Sequence, residues 1–116
     1  MISPDYYRDA RMAARDHVMA KILVHAAWGA RVLVLRVYRG PLRFGARLDL
    51  HLNFRPLDPP MPGEPLYSDQ APFRAARYVE AFLDGDPPDV VMEQVKFLRR
   101  FHWRPTGDPT TSSYGW

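Results

Sequence analysis

The stretch RVLVLRVYRGPLRFGARLDLHLNFR, residues 31–55, decides how this chain folds. Its last nine residues alternate without a break, with Leu48, Leu50, Leu52 and Phe54 on one side and Arg47, Asp49, His51, Asn53 and Arg55 on the other. A period of two is the signature of a strand with one apolar face. Residues 31–38 carry Val and Leu on both faces, as a central strand covered on both sides does. Arg39-Gly40-Pro41 ends that strand, because Pro has no N–H for a ladder and Gly tolerates positive φ.

Upstream, Met19 to Trp28 alternates again. Ala20, Ile22, Val24, Ala26 and Trp28 fall on one face and Lys21 and His25 on the other, with Gly29 supplying the turn. Three neighbouring antiparallel strands follow, joined as a meander. Before them, Asp5 to Asp16 is rich in helix formers and stands just behind Pro4, which predicts a short amino-terminal helix.

Downstream the pattern changes. Pro56 to Pro72 holds six of the chain's 12 prolines, a density that no helix interior or central strand tolerates, so an ordered loop or polyproline arm is expected. Phe73 to Leu83 fits a helical stripe ended by Gly85, and Arg77 to Leu83 equally fits a strand turning at Asp84-Gly85. Val91, Val95, Leu98 and His102 suit a helix opened by Asp86-Pro87-Pro88-Asp89, whereas Met92 to Leu98 also suits a strand paired with the preceding one. The tail from Trp103 to Trp116 is polar and turn-rich. The expected fold is a single domain over residues 1–116, core about 17–101, mostly β with a short amino-terminal helix and a carboxy-terminal helix or further strands. Its rival is an α+β arrangement, the three-stranded meander with two carboxy-terminal helices.

Val32 to Tyr38, Arg39-Gly40, Leu42, Gly45 and Leu48 to Leu50 together resemble the strand, "kG", "G", strand pattern of netrin-like and metalloprotease-inhibitor-like barrels of uncharacterised bacterial proteins. The resemblance spans about a third of the chain and implies a five-stranded OB-type β-barrel, with Tyr78 to Leu83 as its fourth strand. The inhibitor members place an amino-terminal cysteine on a protease metal. This chain has no cysteine, so that activity does not carry over.

Composition sets outer limits. At 47% hydrophobic and 13% aromatic residues the chain lies in the range of packed cores. The longest apolar run, Val18 to Leu35, is interrupted by Lys21, His25 and Arg31 and is no membrane span. Met1 to Arg11 has no apolar centre of a secretory signal; as written the chain reads as cytoplasmic, and a removed leader would place it outside the cytoplasm. A net charge of +3 and a pI near 9.5 lean towards anionic partners such as nucleic acid. Zinc sites built on cysteine and thiol catalysis are excluded.

No spacing among His17, His25, His51 and His102 matches a metal site, and no cofactor is expected. His25 and His51 read as surface residues and His102 as a helix end. Asp84, Asp86 and Asp89 read as turn and cap residues rather than a calcium loop, and Glu80 and Glu93 as isolated acids. No Ser, His and Asp set points to nucleophilic catalysis, so no catalytic residue is named. Arg36, Tyr38, Arg43, Phe44, His51 and Arg55 interleave bases and aromatics on adjacent strands, the surface that a barrel holding single-stranded nucleic acid requires. Trp103, Tyr114 and Trp116 stand in a polar tail, and Pro56 to Pro65 carries PxxP spacings; both suit contact with a protein partner or a second copy. The leading functional expectation is a non-enzymatic interaction module or small accessory subunit, then a nucleic-acid-binding barrel, then a small-molecule hydrolase.

Overall fold

The structure, a computed structural model, describes residues 4–54, 67–108 and 110. Helix α1 (Pro4–Ala13) is followed by strands β1 (Asp16–Ala26), β2 (Gly29–Arg39) and β3 (Arg47–His51), helix α2 (Gln70–Ala75), and strands β4 (Tyr78–Asp84) and β5 (Asp89–Leu98). The strands form one antiparallel sheet in the order β3-β2-β1-β4-β5. The mostly β reading and the amino-terminal helix hold. Of the two ambiguous segments, the first is helical only at its start, where α2 takes Phe73 to Ala75, and is a strand from Tyr78; the second is a strand, so neither forms a carboxy-terminal helix.

One face of the sheet buries Val18, Ala20 and Ile22 of β1, Val32 and Val34 of β2, Leu50 of β3, and Val79, Ala81 and Leu83 of β4 around Phe73 of α2. Fully burying each Val, Leu or Phe contributes roughly 1.5–3 kcal/mol, so the alternation quoted above drives the fold. Gly29 permits the close approach of β3, since a Cβ there would lie 1.9 Å from the Leu50 carbonyl oxygen. On the opposite face α1 and the segment 101–108 cover part of the sheet, Arg11 reaching Gln94 and Thr106 reaching Glu80.

Bulges correct two expectations. Between Ile22 and Val24 the register of β1 against β2 slips by one residue, which exchanges the faces of everything beyond. Val24 then lies on the outer face, 46% exposed, and Trp28 is 41% exposed. His25 crosses to the core side, its Nε2 2.9 Å from the Ala76 carbonyl oxygen and its ring against Phe73. In β5, Ala81 pairs with Val95 but Leu83 with Val90, and Met92 and Glu93 adopt φ of 48° and 55°.

The sheet does not close into a barrel. Left-handed backbone at Met92 and Glu93 cannot supply the alternating donors and acceptors of a ladder, so side chains span the gap instead. Asp89 Oδ1 accepts the His51 N–H at 2.9 Å, and Glu93 Oε1 accepts the Asn53 N–H at 2.9 Å. β3 accordingly ends at His51, and beyond it Phe54 makes an isolated parallel bridge to Ser68.

Candidate functional site

The outer edge of β3 is the most distinctive surface among the described residues. In the ladder between β2 and β3 the even-numbered residues of β3 face β2: Ala46 accepts from the Val34 N–H, and Leu52 donates to Trp28. With Leu50 opposite Ala30 and Leu48 opposite Val32, alternation turns the N–H and C=O groups of Arg47, Asp49 and His51 outward. The His51 N–H is taken by Asp89. Among the described residues no strand pairs with this edge at Arg47 and Asp49.

That edge opens onto a groove of about 500 Å³ lined by Arg31, Arg47, Leu48, Asp49 and His51 on one side and Pro87, Pro88 and Asp89 on the other. Arg31 on β2 lies opposite Asp49 and meets it with Nε to Oδ1 at 2.9 Å. That hydrogen bond and the charge behind it hold the Asp49 carboxyl below its ordinary range. Asp89 Oδ2 is 2.6 Å from His51 Nδ1, so the carboxylate fixes both the backbone and the ring of His51. The His51 ring leans on Trp28, centroids 5.4 Å apart.

The residues read from sequence as one surface fall into separate places. Arg36, Tyr38 and Trp103 come together: Arg36 Nε donates to the Trp103 carbonyl oxygen at 3.2 Å, with its guanidinium 5.4 Å from the Trp103 ring. Tyr38 donates its hydroxyl to the His102 carbonyl oxygen at 2.5 Å. Burial, assisted by the charge of Glu80, pushes the Tyr38 phenol well above its usual value. His102 is therefore part of an extended strap rather than a helix end. Arg43 and Phe44 sit in the β2–β3 turn, Phe44 75% exposed. His51 lies at the far end of the β2–β3 pair, opposite Gly29, and seven residues of strand separate Gly29 from Arg36, roughly 23 Å. Arg55, Tyr114, Trp116 and the Pro56 to Pro65 segment lie outside the described residues.

Arg31, Arg47 and Asp49 were not named as site residues by sequence reasoning, and Asp89 was read only as a turn and cap residue. The outward positions of Arg47 and Asp49 were legible in the alternation, but their open edge depends on strand order, which one strand's pattern does not carry. The acids Glu80 and Glu93 are not isolated. Glu80 is fully buried against His17 and Thr106, and Glu93 Oε2 accepts the Ser68 hydroxyl. Among the described residues no three His, Asp or Glu side chains gather as a metal site, and no helix is long and apolar enough to cross a membrane.

Comparison with known proteins finds no matching family model, no matching curated protein and no matching solved structure.

Proposed function

We propose that the chain is a non-enzymatic interaction module that binds a protein partner, taking an extended segment of it as an added strand along β3. The observation that carries this reading is the pair of outward-facing amides and carbonyls at Arg47 and Asp49 above an open groove. Strand addition satisfies such groups with main-chain hydrogen bonds, while the alternating side chains set the preference. Arg31 and Arg47 lie along the outer face and Leu48 on the core side. Asp49 stands between the two arginines on that face, so a fitting segment alternates charged with apolar residues and sets an acid opposite Arg47 and a base opposite Asp49.

The competing readings have less behind them. Arg36 and Tyr38 are engaged with the strap, so the basic and aromatic surface that single-stranded nucleic acid would need is divided. The groove contains an Asp–His pair but is lined by no hydroxyl or thiol nucleophile.

Selection of binders from a library of random extended peptides, followed by amide-shift mapping, tests the proposal. The expected footprint is Arg47 to His51 with Asp89 and Val90, and it disappears in Asp49→Pro, which removes an outward amide while keeping extended backbone. Binders whose footprint lies elsewhere, or that bind Asp49→Pro equally, would overturn it.

A further inference from the structure

We infer that the strand added along β3 is β3 of a second copy of this chain, paired antiparallel about Leu48. The inference rests on the strand-addition reading above and gives its partner and register. A two-fold axis through Leu48 sets Arg47 opposite Asp49 of the second copy, and Asp49 opposite Arg47 of the second copy. Both are the residues whose N–H and C=O groups point outward, so each of these two pairs exchanges both of its backbone hydrogen bonds. Oppositely charged side chains then stand face to face twice on the outer face, and Leu48 meets its own copy on the core side.

Neighbouring registers do worse. Centring the axis on Asp49 places two carboxylates opposite each other, and like charges directly opposite are destabilising. Moving it to Arg47 does the same with two guanidinium groups. The Leu48 register also places Gly45 of the second copy beside the Asp89–His51 link, where the edge is already occupied. Gly45 has no side chain to collide with that link. Such a contact is isologous, the same patch meeting itself, which closes as a dimer rather than growing into a fibre. The charges also act as an edge device: only one register of a short strand is complementary.

Sedimentation velocity on the full chain, up to about millimolar concentration, reads this out. The wild type forms a reversible dimer. Arg47→Asp sets Asp against Asp twice and is monomeric, and Asp49→Arg sets Arg against Arg twice and is monomeric. Mixing the two variants restores two Asp–Arg pairs, and a one-to-one heterodimer forms at wild-type concentrations. Circular dichroism and thermal melts of the single variants check that each remains folded.

A wild type that stays monomeric overturns the second copy as occupant and leaves peptide binding at the edge to be judged by its own footprint. A wild-type dimer whose variants still self-associate, or whose mixture does not re-form it, overturns the register. Loss of both dimer and peptide footprint removes the strand-addition reading itself.

Discussion

The Nε2 of His17 lies 2.6 Å from an Oε2 of Glu80, and neither side chain reaches solvent. The imidazole is stacked on Phe82, centroids 4.0 Å apart, and edge-on to Tyr38 at 4.9 Å. The other Glu80 oxygen, Oε1, accepts the backbone N–H of Thr106 at 3.2 Å and its hydroxyl at 2.8 Å. One buried carboxylate thus ties β1, β4 and the strap 101–108 together. Buried polar groups hold only when each partner is met, so the strap is part of the packing of the outer face.

Thr106→Ala removes the hydroxyl that donates to Glu80 Oε1 while leaving Glu80 paired with His17. A cost of about 1–2 kcal/mol is expected, with faster amide exchange in residues 101–108 and unchanged exchange in β1 and β2. Glu80→Ala leaves both His17 and the strap without their partner and costs more, roughly 3–5 kcal/mol. Denaturant unfolding gives the first quantity and hydrogen exchange the second. If the strap is equally protected in Thr106→Ala, Glu80 does not latch it.

Glu93 gives the stability a defined pH slope. Burial raises its carboxyl above the ordinary range, with the Ser68 hydroxyl and the Asn53 amide pulling partly the other way. The folded chain therefore holds this proton more tightly than the unfolded chain does. The stability that follows is complete below the unfolded value and is lost as pH rises through the higher folded one. Glu93→Gln has no such ionisation, so its melting temperature relative to wild type should climb between about pH 4 and pH 7. A difference that falls over that interval would mean that the hydrogen bonds outweigh burial at this site.

The strands that were legible are those whose alternation runs uninterrupted. Leu48, Leu50 and Leu52 face inward as their spacing predicts, because β3 carries no slip in register. Val24 and Trp28 obey the same pattern in sequence and lie outside, because a single extra residue in β1 reverses the phase. The helix-like spacing of Val91, Val95 and Leu98 marks no common face: Val95 packs in the core, Val91 packs with Phe82 and Ala14 on the other side of the sheet, and Leu98 stands opposite Tyr78. The groove was illegible for another reason: His51 and Asp89 meet only because the sheet curls β5 back towards β3.

The slip in β5 also decides which side chains Met92 can be exchanged for. Between Val90 and Val95, four residues of β5 stand against Phe82 alone on β4, and the excess is absorbed at Met92 and Glu93 with positive φ. The left-handed region costs ordinary residues roughly 1–2 kcal/mol each, most for β-branched side chains and least for Asn and Gly. The bend places the Glu93 carboxylate on the Asn53 amide and the Ser68 hydroxyl, and brings Gln94 inward, where its Oε1 accepts from Arg11 Nη1 at 2.8 Å. Met92→Val keeps an apolar side chain and the higher strand propensity, yet it should destabilise by roughly 2 kcal/mol. Met92→Asn gives up apolar character but suits the backbone, and should stay within about 1 kcal/mol of wild type. Denaturant midpoints at equal slope decide between backbone and side-chain control. If Val proves the milder substitution, the kink at Met92 is not what holds Glu93 against the edge of β3.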